Sequence, residues 1–239
     1  MSEPTTQRFG LPLLQPAQAQ KHVTVNDALM RLDGLVNLVL QSASLSAPPL
    51  SAVDGQCWGV PSGGSGPWTG QDGQIAIAAN GGWVFAQPQR GQRAFLIDRG
   101  VAALWDGAGW ASGAITLGAL GGGLIAGVTE GETPTGAGTT VATGVRIPAH
   151  SMVIGVTARV AEQMTGTVTS WSLGVEDAPD RFGSGLGVQL NSWAQGLQSM
   201  PTAYYADTEL LVTAAGGSFA GGRVRLSVQW LALRLPSAA

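Results

Sequence analysis

Apolar residues near the start of the chain recur with the period of an α-helix. They are separated by four, three, four and three positions, which places them on one helical stripe. They are Val25, Leu29, Leu32, Val36 and Val39. Thr24 opens a stretch that resembles a capping box, and the prolines at 48–49 end the helix. The spacing is also that of a heptad seam between copies of the chain, and packing of the helix on its own β domain is the alternative.

The segment before this helix has apolar residues but no helical period. Residues 9–22 contain Pro12 and Pro16, and proline fixes φ and lacks an amide donor. We therefore expect an extended arm, whose apolar side chains need a covering surface on the same domain, a sister subunit or another protein. The candidate residues for oligomerisation or attachment are Leu13, Leu14, Val25, Leu29, Leu32 and Val36.

Turn signals then separate short β-type runs between residues 50 and 113. Pairs such as Asp54–Gly55 and Asp106–Gly107 supply the positive φ that tight hairpin turns require. Five of the eight tryptophans of the chain lie in this part. It is predicted to be a small Trp-rich antiparallel β domain, and the glycine-rich residues 114–123 are predicted to be a linker.

The remaining part alternates apolar and polar residues with the period of a β-strand. Residues 152–160, 171–175 and 224–232 each place apolar side chains on one face. Between 183 and 222 the only charged residues are Asp207 and Glu209, which predicts a surface covered by another subunit. A C-terminal β-sandwich or jelly-roll-like domain fits this pattern.

The predicted fold class is therefore mainly β, with an N-terminal extended arm and short helix, a small β domain and a C-terminal sandwich. The predicted regions are 1–45, the arm and helix; 50–113, the Trp-rich domain; 114–123, the linker; and 124–239, the sandwich.

Composition narrows the classes of function. Glycine accounts for 36 of 239 residues and charged residues for 11%, while 44% of the chain is hydrophobic, so the chain is turn-rich rather than disordered. A net charge of -3 argues against nucleic-acid binding. The single cysteine, Cys57, excludes an intrachain disulfide and a cysteine-based zinc site. We expect no signal peptide, membrane insertion, metal or cofactor.

Two stretches resemble the DUF2793 family. Residues 11–29, LPLLQPAQAQKHVTVNDAL, followed by Asp33, resemble the family's opening. Residues 68–70, 82–85 and 105–110 resemble its middle part. The C-terminal part, with Ala203–Tyr205 and 211–222 among its matching stretches, resembles domains attached to such proteins. The family belongs to phages, prophages and gene transfer agents of alphaproteobacteria, and it has no established catalytic residues.

The resemblance implies a structural protein on a virion surface, either a head spike or a tail-fibre component. Its expected partners are copies of itself, other virion proteins of head or tail, and host-surface polysaccharide. A trimer is favoured, and a pentamer is the alternative for a protein on a capsid fivefold axis. Assembly is expected in the bacterial cytoplasm, and no enzymatic activity is expected. The alternatives are a capsule-degrading depolymerase spike and a free carbohydrate-binding module.

Aromatic residues are the candidates for carbohydrate binding, because an exposed ring stacks on a sugar ring. Trp68 and Trp110 lie beside turns and are expected to be exposed. Trp193, Tyr204 and Tyr205 form a rival group in the C-terminal part. The alternative for both groups is packing, in a small core or between subunits.

Three acidic residues crowd one loop and raise two further possibilities. Glu176, Asp177 and Asp180 include the residue types of a glycoside hydrolase pair, and they are oxygen ligands suited to calcium. An ordinary hairpin turn is the favoured interpretation. His150 is expected to lie in a turn, and Cys57 is expected to be a small buried side chain.

Overall fold

A computed structural model describes residues 4–14 and 21–237 of the chain. It divides the chain into two compact units, Met1–Gly121 and Gly122–Ala239. The boundary falls inside the predicted linker, 114–123. The N-terminal unit contains both the helix and the Trp-rich strands, which the sequence analysis had placed in separate regions. The mainly β fold is confirmed.

The N-terminal unit is built on one mixed sheet. Its strands are β1 (Val39–Leu40), β2 (Cys57–Gly59), β3 (Ile75–Ala79), β4 (Gly82–Ala86), β5 (Arg93–Leu96), β6 (Val101–Trp105) and β7 (Trp110–Ser112). In the described residues their order is β4-β3-β2-β1-β5-β6-β7. The strands within the predicted Trp-rich region, 50–113, pair with one another in antiparallel fashion, as expected. β1 lies before that region and runs parallel to β2 and β5. Residues 41–56 form a connection long enough for the parallel pairing of β1 with β2.

The single α-helix of the described chain, α1, spans Lys21–Leu35 and is shorter than the apolar spacing predicts. Val36 lies in a turn and Val39 belongs to β1. Asn37 has φ of 45°, a left-handed conformation that commonly ends helices. The helix therefore stops well before the prolines at 48–49.

The helix packs on its own sheet through a face other than the heptad stripe. Met30, Asp33 and Gly34 are buried. Gly34 approaches Ile77 of β3 so closely that a Cβ on it would lie 2.7 Å from the isoleucine Cδ1. A side chain at this position would force Ile77 to shift, so Gly34 favours the packing of this side of α1 against the sheet.

The heptad stripe itself is largely uncovered. Val25, Leu32 and Val36 are 40%, 50% and 42% exposed, and Leu29 is half-buried. The apolar spacing therefore does not mark the face that packs on the sheet. It leaves a row of aliphatic side chains on the surface of the N-terminal unit.

Residues 4–14 fold back on the end of α1. Asp33 is 1% exposed, and its carboxylate accepts hydrogen bonds from the Thr6 hydroxyl at 2.7 Å and from the backbone amides of Arg8 and Phe9 at 3.0 and 2.8 Å. This buried carboxylate ties the N-terminal residues to the helix.

The guanidinium of Arg8 completes the attachment by capping the helix. It donates to the carbonyls of Asp33, Gly34 and Asn37 at 2.7 to 2.8 Å, where helical carbonyls lack intrahelical partners. Of the three covering surfaces expected for the arm, residues 9–14 therefore contact their own domain. Residues 15–20 of the predicted arm lie outside the described chain.

The C-terminal unit is a sandwich of two antiparallel sheets. Its strands are β8 (Gly123–Pro134), β9 (Thr140–Ile147), β10 (Ser151–Gly166), β11 (Ser170–Val175), β12 (Ala178–Leu186), β13 (Trp193–Tyr204), β14 (Thr208–Ala215) and β15 (Phe219–Arg234). In the described residues one sheet has the order β13-β10-β15-β8 and the other β12-β11-β14-β9. This strand order is that of a jelly roll, and the predicted sandwich is confirmed.

The core of the sandwich follows the predicted alternation with one interruption. Valines and leucines of β10, β11, β14 and β15 pack around Trp171 and Phe219, which are at most 2% exposed. A register shift between Val153 and Gly155 moves Val153 inward, and it leaves Met152 39% exposed. Met152 was predicted to face the same side as Val156, and the bulge is the reason that it does not.

Replacement of Asp33 by alanine is expected to lower the free energy of unfolding of the N-terminal unit by about 2–4 kcal/mol, because one buried hydroxyl and two amides lose their acceptor. Urea unfolding followed by tryptophan fluorescence measures this, since five of the eight tryptophans lie in that unit. Asp27→Ala is the control, because its ion pair with Arg31 is exposed and contributes at most about 1 kcal/mol. Equal effects of the two substitutions would contradict the role given to Asp33.

Candidate functional site

Three tryptophans of the N-terminal unit form a cluster that includes Trp68. The rings of Trp58, Trp68 and Trp83 lie 5.2 to 6.3 Å apart, in tilted or edge-to-face arrangements. Trp68 is fully buried at the end of a short 3₁₀ helix, Gly66–Trp68, which turns its ring inward. The expectation that Trp68 is exposed is wrong, and its ring has no free face for a sugar.

Trp110, the second predicted surface tryptophan, is half-buried. It packs against Trp105 with ring centroids 5.3 Å apart. Its ring also fills the space beside Gly59, where a Cβ would lie 2.8 Å from the indole. Trp110 therefore serves packing, as the alternative interpretation of the tryptophans stated.

The three aromatic residues of the C-terminal unit that were predicted to bind carbohydrate do not form one site. Trp193 begins β13 and is 62% exposed, whereas Tyr204 ends the same strand and is half-buried. Tyr205 is 79% exposed and lies near His150, with ring centroids 6.5 Å apart. His150 has φ of 57° in a turn, as expected. The structure thus separates Trp193 from the two tyrosines.

Trp193 lines an open groove of about 650 Å³ on the outer face of the sheet β13-β10-β15-β8. Strand register places four residues in one row across this sheet. They are Trp193, Arg159, Arg225 and Glu132. A second row beside it contributes Gln195, Thr157, Ser227 and Glu130 to the same groove.

The arginines of the groove differ in their partners. Glu132 forms ion pairs with both Arg225 and Arg223, and Arg223 also reaches Glu162 at 3.3 Å. Arg159 makes no side-chain hydrogen bond or ion pair within residues 4–14 and 21–237. The alternation over residues 152–160 and 224–232 puts Arg159 and Arg225 on the faces opposite the apolar side chains. It does not join them to Trp193, because register across strands is not visible in the sequence.

The predicted acidic loop lines a second cavity, of about 640 Å³. Glu176 and Asp177 form the turn between β11 and β12, so the favoured hairpin interpretation is confirmed. Asp180 lies on β12, and it is not among the residues that line this cavity. Within the described chain, no group of three or more histidine, cysteine or acidic residues is placed to hold a metal ion.

Charge and burial define the character of this second cavity. Four carboxylates and two guanidinium groups line it, together with Tyr204. Burial raises the pKa of Tyr204, and the nearby guanidinium of Arg181 offsets part of that rise. The excess of carboxylates makes this cavity unsuited to an anionic ligand.

Cys57 is a structural residue of the N-terminal core. Its side chain is fully buried, and Sγ lies 3.5 Å from the carbonyl oxygens of Gly34 and Gly55. Burial raises the pKa of the thiol to about 11, with a smaller lowering from Arg8 and a smaller rise from Asp33. A thiol that stays protonated is a weak nucleophile, in agreement with the expected packing role.

Comparison with protein families gives one match. The model of DUF2793, described as a protein of unknown function, matches residues 25–111. These residues are similar to that family and are called the DUF2793 region for this reason. The predicted resemblance is confirmed over these residues, which include most of α1 and, except for Ser112 at the end of β7, the seven strands of the N-terminal sheet. No curated protein matches the chain.

Two solved structures resemble part of the chain. One is titled "Cyanophage Pam1 capsid asymmetric unit", with 23% identity over 45% of this chain and 84% of that chain, at a TM-score of 0.36. The other is titled "Acidic stable capsid structure of Helicobacter pylori bacteriophage KHP30", with 16% identity over 48% of this chain and 94% of that chain, at a TM-score of 0.35. No helix among the described residues is long and apolar enough to cross a membrane.

Substitution of the most buried and the most exposed tryptophan candidates, Trp68 and Trp193, tests their assignment to core and surface. Trp68→Ala, within the DUF2793 region, is expected to destabilise the protein by about 3–5 kcal/mol, because it empties a fully buried site. Trp193→Ala is expected to change stability by no more than about 0.5 kcal/mol, because the ring is mostly exposed. Urea denaturation followed by circular dichroism measures both, and a strongly destabilising Trp193→Ala would contradict the surface assignment.

Proposed function

We propose that the chain is a structural protein of a phage or gene transfer agent particle, present on its surface as a homo-oligomer and attaching the particle to host polysaccharide. The protein acts without catalysis, and it assembles with other virion proteins in the bacterial cytoplasm. The similarity of residues 25–111 to DUF2793, a family of phages, prophages and gene transfer agents, supports this class of function.

The observation that carries the proposal is the uncovered heptad stripe of α1 and of the turn that follows it. Val25, Leu32 and Val36 are each at least 40% exposed, although their spacing is that of a helix–helix seam. The helix is anchored through its other face, so this stripe is free to meet the same stripe of another copy. Burial of apolar surface at about 25 cal/mol per Å² favours such an association.

The C-terminal unit also has apolar side chains that face solvent in the single chain. Leu197, Met200 and Leu233 are between 72% and 82% exposed. Leu197 and Met200 lie on β13, in the stretch where the sequence predicted a subunit contact. Exposed aliphatic side chains on a weakly charged strand support contact with further copies.

Attachment to host polysaccharide is the adhesive half of the proposal. The groove beside Trp193 combines an exposed indole with charged and amide side chains. Sugars are bound by this combination, because rings stack on the indole and hydroxyl groups pair with polar side chains.

The location in the particle is tested on intact particles purified from the producing bacterium. Antibodies against the chain, with gold labels, are expected to decorate the particle surface in electron microscopy. Particles from a deletion strain are the control, and they are expected to lack the label and to adsorb less to host cells. Complete absence of the chain from purified particles would overturn the proposed function.

The oligomeric state tests the role of the helix stripe. Light scattering on the purified chain is expected to give a multiple of its 24.3 kDa mass, with three copies favoured. The double substitution Leu32→Glu and Val36→Glu is expected to give a monomer, because charged groups would have to be buried in the seam. Thr24→Glu, an exposed change off the stripe, is the control and should keep the native mass. A monomeric wild-type chain would contradict the seam.

A further inference from the structure

We propose that the groove beside Trp193 binds an acidic saccharide, with a sugar ring stacked on the Trp193 indole and a carboxylate of the saccharide paired with the Arg159 guanidinium. This inference rests on the proposed attachment to polysaccharide and names its site and its ligand class. The relevant face is the outer surface of the sheet β13-β10-β15-β8.

The stacking surface is Trp193. Its side chain is 62% exposed at the start of β13, an edge strand, so solvent reaches the ring. The other described tryptophans of the C-terminal unit have other roles. Trp171 is fully buried, and Trp230 covers Gly127 and donates its Nε1–H to Thr129 at 3.1 Å. Only Trp193, among the described tryptophans, is more than half exposed.

Arg159 is the anion-binding group. It lies directly opposite Trp193 in the pairing of β10 with β13, and both side chains line the groove. On its other side it lies directly opposite Arg225 in the pairing of β10 with β15. Like charges directly opposite each other destabilise a sheet. A ligand carboxylate beside Arg159 relieves this repulsion and accepts paired hydrogen bonds from the guanidinium.

The remaining charges leave Arg159 available. Glu132, the carboxylate of the same row, is already shared by Arg225 and Arg223, and Glu162 also pairs with Arg223. Glu130 lies on β8, two strands from Arg159, in the row of Thr157 and Ser227. The positive end of the groove is therefore the end at Trp193, where a stacked sugar would place its carboxylate.

The shape and lining of the groove favour an extended saccharide. The two rows run across four strands, a width on the order of 14 Å at the usual spacing between strands. Gln195 and Thr157 lie in the row next to Trp193 and Arg159, and they offer amide and hydroxyl groups to sugar hydroxyls. The groove is open to solvent, so an internal segment of a polymer can reach it without threading a chain end through a closed cavity.

Titration calorimetry with a galacturonic acid tetrasaccharide tests the proposal on the full chain. The carboxyl-reduced tetrasaccharide, which has the same length without charge, is the matched ligand. The wild-type protein is expected to bind the acidic form at least about tenfold more tightly, since only that form has a carboxylate to pair with the Arg159 guanidinium. The preference should shrink as salt is raised.

Two substitutions separate stacking from charge recognition. Trp193→Ala is expected to weaken binding of both tetrasaccharides at least about tenfold, because stacking on the ring is lost. Arg159→Gln should weaken binding of the acidic form by a similar factor and leave the reduced form unchanged. Tyr205→Ala and Arg99→Gln are the controls, because they remove an exposed aromatic and an exposed arginine elsewhere. Circular dichroism confirms that each variant is folded.

Three outcomes would overturn this inference: no binding of the acidic tetrasaccharide, equal binding of both ligands, or binding that Trp193→Ala and Arg159→Gln leave unchanged. A change in oligomer mass in Trp193→Ala, without loss of binding, would assign Trp193 to a subunit interface instead. The particle test is separate. If the chain is found on particles but does not bind the acidic tetrasaccharide, only the proposed ligand of the groove is overturned. If the chain binds the acidic tetrasaccharide but is absent from particles, only the proposed virion role is overturned.

Discussion

The side-chain alternation of β10 and β15 is the constraint on which the candidate site depends. Both strands direct aliphatic residues into the sandwich core, as at Val156 and Leu226, so the intervening residues must face outward. A slip by one residue would bring Arg159 and Arg225 into the core, where unpaired charges cost several kcal/mol. The core beneath the sheet therefore fixes the positions of Trp193, Arg159 and Arg225 in their row. These side chains are held by strands, and no loop is required to position them.

A buried carboxylate has the corresponding role in the N-terminal unit. Asp33 fixes residues 4–14 at the end of α1, and its neighbour Gly34 fits against Ile77. Together these two residues favour the packing of their side of the helix against the sheet. The heptad stripe, centred on Leu32, is left outward as a consequence. The helix face that the heptad spacing of apolar residues identifies is thus largely exposed in the single chain.

The sequence predicted the strands of the sandwich well because alternation there is nearly uninterrupted. The prediction was wrong where two adjacent residues are both apolar. Met152 and Val153 do not reveal the bulge that turns Val153 toward the core and leaves Met152 exposed. The prediction was also wrong at Trp68, because flanking turn residues indicate a loop without indicating the direction of its ring. The sequence also could not predict the contacts of Asp33 with Thr6, Arg8 and Phe9, or the row that joins Trp193 to Arg159. Pairing between distant segments decides all of these features.

The two proposed surfaces differ in chemistry in a way that matches their tasks. Assembly is favoured by aliphatic side chains such as Leu32, because apolar burial is strong and requires no exact partner groups. Adhesion to a polymer is better served by an open polar groove such as that of Arg159, where each contact forms and breaks readily. An open groove binds weakly by itself, because it buries little of its ligand. Several copies on one particle raise the effective affinity for a repeating polysaccharide by about 10²–10⁴ without any new contact. The uncovered stripe of α1 and the shallow groove are therefore complementary, since association of copies is what makes a weak site adhesive.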